Sequence, residues 1–120
     1  MKDTSYHDAK FAKMSFASVY RLYINKIERK GRTKIELDQV IEWLTGYNES
    51  QIEKLIQDNC TFEEFFKNAE MNPNAHLIKG IICGYRVEEI ENTLTQQVRY
   101  LDKLVDELAK GTSMDKILRK

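Results

Sequence analysis

Leu94, Val98, Leu101, Val105 and Leu108 recur at alternating gaps of four and three residues. That spacing puts all five on one face of an α-helix, and such a seam is built to dock on other helices. It predicts a long helix near the C-terminus, capped at Asn92 or Thr93, running to Lys110 and stopping at Gly111. Leu104 widens the seam.

The same period recurs in shorter pieces upstream. Ser15 precedes Phe16, Val19, Tyr20, Tyr23, Ile24 and Ile27, an apolar stripe that ends at Gly31 behind the turn Glu28-Arg29-Lys30. Thr33 with Glu36, Asn48 with Gln51, and Thr61 with Glu64 have the spacing of a capping box. In that device the cap and the third helical residue each bond the other's backbone N–H. The boxes open helices with apolar faces Leu37/Val40/Ile41/Leu44, Ile52/Leu55/Ile56 and Phe62/Phe65/Phe66/Ala69, and Gly46 closes the first of them. Asn72-Pro73-Asn74 is a turn. His76 to Cys83 is apolar nearly all round and predicts a buried helix stopped by Gly84. A strand is the competing reading, because Ile78 to Cys83 is short, β-branched and bounded by glycines. Val87 to Glu91 reads as a short helical turn, and Ser113 opens a last helix with Met114, Ile117 and Leu118. Residues 1–13 are expected to form a loose N-terminal tail. The fold class is all-α: a single domain over 1–120, with about six or seven short helices bundled around the long C-terminal one.

Composition narrows the function. A 42% hydrophobic and 32% charged content is that of a globular chain. No apolar run approaches the ~18 residues of a membrane span, and Met1 to Asp8 holds no signal-type stretch. Cytoplasmic residence is the expectation, with Cys60 and Cys83 as free thiols. Net charge is zero but uneven: residues 1–34 carry nine Lys/Arg against three Asp/Glu, and residues 35–75 carry two against nine. Packed side by side, the two segments neutralise each other. Across a two-fold axis they would complement a second copy. The seam, the 76–83 run, the aromatic first helix and the Phe62–Phe66 cluster all need cover in a small domain, so a homodimer is expected.

Several long strings carry a resemblance. They are Met14-Ser15-Phe16-Ala17-Ser18-Val19-Tyr20, Glu28 to Lys34, Trp43-Leu44-Thr45-Gly46-Tyr47, Asn72-Pro73-Asn74, Cys83 to Glu91 and Arg99 to Gly111. Together they resemble the small bacterial proteins grouped as domain of unknown function 2200, from about Met14 to Arg119. The resemblance implies a bacterial, cytoplasmic protein and brings no activity with it. Similar proteins have proline where this chain has Thr93, which suits a first helical position after Asn92.

Chemistry-bearing clusters are few. The basic turn Lys26, Arg29, Lys30, Arg32 and Lys34 surrounds Gly31 where one helix ends and the next begins. Arg29, Lys30, Arg32 and Lys34, with the N–H groups near Thr33, would hold a phosphate or a nucleic-acid backbone; the competing reading is a solvated turn paired with carboxylates. A helix-turn-helix over Thr33–Thr45 and Asn48–Asn59 would present Glu49 to Asp58, three acids against one lysine, to phosphates that repel it. Nucleic acid is therefore not an expected partner. Cys83 as a nucleophile needs a base, and His76 lies about 10 Å away if the segment is helical, so Cys83 is expected to be buried and inert. No metal-ligand spacing and no cofactor motif is present. The richest polar set is Arg86, Glu88, Glu89, Glu91, Arg99, Tyr100, Asp102 and Lys103. Arg86, Glu88, Arg99 and Tyr100 would line a cleft for a small anionic ligand; a salt-bridge network is the alternative. Three function classes follow in order: a binding or interaction protein, a small enzyme or anionic-ligand binder using Cys83–Arg86 to Asp102, and a nucleic-acid binder through Lys26–Lys34.

Overall fold

The structure, a computed structural model, describes residues 5–119. Five helices come first: α1 (Ser5–Lys13), α2 (Phe16–Glu28), α3 (Lys34–Thr45), α4 (Glu49–Gln57) and α5 (Phe62–Lys67). A 3-10 turn (Ala75–Leu77), a hairpin of β1 (Ile81–Ile82) and β2 (Tyr85–Arg86) and a second 3-10 turn (Val87–Glu89) follow. The chain ends with α6 (Thr93–Ala109) and α7 (Met114–Ile117).

The C-terminal seam decides this arrangement. Val98, Leu101, Leu104, Val105 and Leu108 are all buried, and α6 packs against α1, α2, α3, α5, α7, β1 and the second 3-10 turn. From Val98 to Leu108 the seam is thus covered within one chain, and Leu94 is half-buried.

Helix starts follow the sequence rules. Thr33 Oγ1 accepts from Glu36 N at 3.2 Å while the Glu36 carboxylate accepts from Thr33 N at 3.0 Å. Asn48 with Gln51 and Thr61 with Glu64 close the same reciprocal box. Asn92 Oδ1 accepts from Thr95 N at 2.9 Å, confirming the start of α6. Ser113 stands at the cap position of α7 without a side-chain hydrogen bond. Two caps also meet each other: Ser15 and Thr61 form an antiparallel bridge, with Phe16 N bonded to Cys60 O at 2.9 Å and Phe62 N to Met14 O at 2.8 Å. That bridge starts α2 and α5 side by side, so Phe16 stacks on Phe65 with ring centroids 4.1 Å apart.

Residues 1–13 are not a loose tail throughout. Ser5–Lys13 is helical, and Phe11 is buried against the Arg99 guanidinium. Asp8 accepts a hydrogen bond from Thr95 Oγ1. Among the described residues, buried Phe11 and the bond between Asp8 and distant Thr95 hold the helix, a pattern that periodicity does not show. Residues 1–4 lie outside the described part.

Residues 76–83 are not a helix either, and the strand alternative holds for part of the segment. Ile78 is fully buried, but His76 and Leu77 are exposed. Gly80 has φ +116°, beyond any helix. Ile82 pairs with Tyr85 and Ile81 with Arg86, and the two residues between them, Cys83 (φ 51°) and Gly84 (φ 84°), are both left-handed. That is the turn geometry that joins two antiparallel strands most tightly. Gly84 is therefore the second turn residue, not a helix stop.

The end of α3 is closed by a distant segment. A helix leaves its last four carbonyls unpaired. Here Gly46 N takes Glu42 O at 2.8 Å, Asn72 Nδ2 takes Trp43 O at 3.1 Å, Asn72 N takes Leu44 O at 3.0 Å and Glu70 N takes Thr45 O at 2.8 Å. Gly46 makes this possible with φ +78°, and a Cβ there would lie 3.2 Å from both the Cβ and the carbonyl oxygen of Glu70. Gly31 has a similar φ of +80° but open space around it. Gly31→Ala is expected to lose about 1 kcal/mol from its left-handed backbone, and Gly46→Ala about 2–3 kcal/mol because strain and crowding add. Denaturant melts of the two variants check this. Equal losses would mean that the 70–72 segment moves aside without cost.

Candidate functional site

A groove of about 300 Å³ opens between α1, α2, α6 and the hairpin. Its walls are apolar: Phe11 and Met14 from the first helix and its exit, Leu22 from α2, Ile82 from β1 and Val98 from α6. Lys26 and Cys83 also border it. Tyr23, Arg99 and Asp102 form its polar part.

These three groups make one hydrogen-bonded unit. Arg99 and Asp102 sit one turn apart on α6, with NH1 of Arg99 2.9 Å from Asp102 Oδ2. Tyr23 Oη donates to the other carboxylate oxygen at 2.5 Å. Burial pushes the Tyr23 phenol well above its ordinary pKa, and the charge of Asp102 adds to this. Tyr23 therefore stays a neutral donor, and the stability this contributes is complete below the ordinary phenol pKa and is lost as pH rises through the raised one.

Arg99 is only 8% exposed. Its guanidinium lies 4.8 Å from the ring centroid of Phe11 and 5.9 Å from that of Tyr85, so two aromatic faces flank the cation. A guanidinium carries five N–H donors, yet Asp102 is the one hydrogen-bond acceptor of Arg99 among the described residues. No buried side-chain nitrogen or oxygen among them lacks a partner. The remaining N–H groups of Arg99 are therefore reachable from the groove or solvent.

Of the four residues expected to line a ligand cleft, Arg99 alone lines this groove. Tyr100, the next residue on α6, points about 100° away and is buried. Burial raises its phenol pKa, with Glu88 contributing. Glu88 accepts from Gly80 N at 3.0 Å, a bond that lowers its carboxyl pKa. Arg86 is exposed and 3.8 Å from Glu88.

The basic turn is drawn into its own chain. Arg32 pairs with Glu36 at 2.9 Å and donates from NH1 to Thr112 O at 2.9 Å. Lys34 bridges Asp38 at 2.8 Å and Glu53 at 2.9 Å. Arg29 donates to Asn25 O, and Lys30 is exposed. Burial opposes the shift at Glu36, but the Thr33 N–H and the Arg32 guanidinium outweigh it and hold that carboxyl below its ordinary range. The N–H nearest the expected anion site is already occupied by the protein's own carboxylate.

Cys83 is exposed, contrary to the expectation of a buried thiol, because it is a turn residue and not part of a helix. Cys60 is half-buried, and burial with the nearby Glu64 charge raises its pKa. The His76 ring bonds Pro73 O at 2.8 Å through Nδ1. No group of three or more His, Cys, Asp or Glu suited to a metal ion occurs among the described residues, nor is any described helix long and apolar enough to cross a membrane.

Sequence reading missed Phe11, Leu22 and Tyr23 as groove residues. Leu22 did carry a signal: it lies off the core stripe of α2, and it is 63% exposed.

The chain belongs to the family described as an uncharacterized protein conserved in bacteria, domain of unknown function 2200, which it matches over residues 10–119. Among solved structures it is similar to the uncharacterized protein SP1917, with 44% identity and a TM-score of 0.86 over 91% of this chain and 90% of that one. No curated protein matches it.

Timed alkylation near neutral pH is expected to label Cys83 at the rate of an exposed model thiol and Cys60 many-fold more slowly, since Cys83 is exposed at the turn, whereas Cys60 is half-buried and burial raises its pKa. Equal rates in the folded protein would contradict the assigned turn.

Proposed function

We propose that this is a small cytoplasmic binding protein whose ligand site is the groove between α1, α2, α6 and the hairpin. The observation that supports it is Arg99. It is only 8% exposed, and among the described residues it spends a single hydrogen bond on its own chain, so its other N–H groups stay open to a ligand in the groove. Apolar walls beside a few polar groups are what small-molecule sites are made of. The two unpaired thiols, one of them exposed, support a reducing compartment.

The test is a titration of apolar acids, amides and alcohols into isotope-labelled protein, read residue by residue by NMR. Shift changes are expected to gather at Leu22, Ile82, Cys83, Val98 and Arg99. Leu22→Glu, at an exposed position that tolerates charge, is expected to remove them. Changes elsewhere, or none, would overturn the reading.

Self-association is the second reading, favoured by Leu22, Ile35 and Ile81, which are 63%, 71% and 57% exposed. Isolated exposed apolar residues are ordinary, so mass decides. Light scattering across a concentration range should rise to twice the chain mass if this reading holds. A single-chain mass throughout rejects it.

A further inference from the structure

From the charge and size of the groove we infer that its ligand is a monocarboxylate with a short apolar tail, the carboxylate meeting Arg99. This rests on the groove reading above and names its ligand class. The charged residues that line the groove are Lys26 and Arg99 against Asp102, one net positive charge. Lys26 is also 3.6 Å from Asp106, which Lys110 holds at 3.0 Å from the far side. One negative charge therefore balances the site. A dianion such as a phosphate monoester would leave one negative charge unbalanced against the apolar walls Phe11, Met14 and Val98.

Geometry favours a carboxylate over other monoanions. The Arg99 guanidinium lies 4.8 Å from the Phe11 ring centroid and 5.9 Å from that of Tyr85, and a guanidinium's planar fork matches two carboxylate oxygens. Tyr23 Oη is spent on Asp102, so Arg99 carries the recognition. A volume of about 300 Å³ is at the small end of ligand pockets, which run from roughly 300 to 1,000 Å³. A short acid such as octanoate suits a site of that size, its chain lying along Met14, Leu22 and Ile82.

Octanoate and octanamide, equal in size and different in charge, separate the two layers of the argument. Both are titrated by NMR into the wild type, Leu22→Glu and Arg99→Lys. Octanoate is expected to bind the wild type at least tenfold tighter than octanamide, with both lost in Leu22→Glu. Arg99→Lys keeps a cation beside Asp102 but lacks the fork, and it should lose most of the preference while circular dichroism shows it folded. Equal binding of acid and amide, both removed by Leu22→Glu, overturns the carboxylate and leaves the groove standing. A preference unchanged in folded Arg99→Lys overturns Arg99 as the contact. Binding of neither compound, or binding indifferent to Leu22→Glu, overturns the groove and the ligand class together.

Discussion

Covering the apolar face of α6 is the constraint that most of the fold obeys. Leu101, Leu104 and Leu108 have no exposed surface, and each such side chain contributes about 1.5–3 kcal/mol on leaving water. Helices α1, α2, α3, α5 and α7 all supply that cover. The polar flank of α6 then orders them further. Asp102 takes the Tyr23 hydroxyl of α2, Thr95 bonds Asp8 of α1, and Glu107 holds Arg119 past α7 through two bonds of 2.9 and 2.7 Å. One helix therefore fixes the first and last described segments of the chain at once.

The groove is a by-product of that constraint. Arg99 and Asp102 lie at the edge of the seam, where α6 turns from core to surface. Covering Arg99 takes an aromatic ring from α1 and another from the hairpin. Neither element extends across the gap to α2, so Leu22 is left at its mouth with no partner large enough to bury it.

Electrostatic layout has a different outcome from the one its distribution first suggests. A basic first third and an acidic middle invite a partner of either sign. In the folded chain the two meet at their boundary: Arg32 with Glu36, and Lys34 with both Asp38 and Glu53. Tyr20 adds a hydroxyl to Asp38 at 2.6 Å, tying α2 to α3. The charges are short-range fasteners between helices, and the buried cation beside the groove lies elsewhere, on α6.

The sequence by itself determined the helices, their caps and the core. Capping boxes at Thr33, Asn48 and Thr61, the cap at Asn92 and the seam from Val98 to Leu108 all rest on residues three or four apart, so local spacing encodes them. Only the tertiary structure decided the rest. Helix α1 exists because Phe11 finds Arg99, a contact that spans most of the chain. Residues 81–86 become a hairpin because Cys83 and Gly84 both take the left-handed conformation of a tight turn. The polar set around residues 86–102 is divided between two surfaces because neighbours on a helix point about 100° apart, and which side meets an apolar groove depends on elements far away in sequence. Periodicity records which face is buried. It does not record what buries it, and the groove is made of that second kind of information.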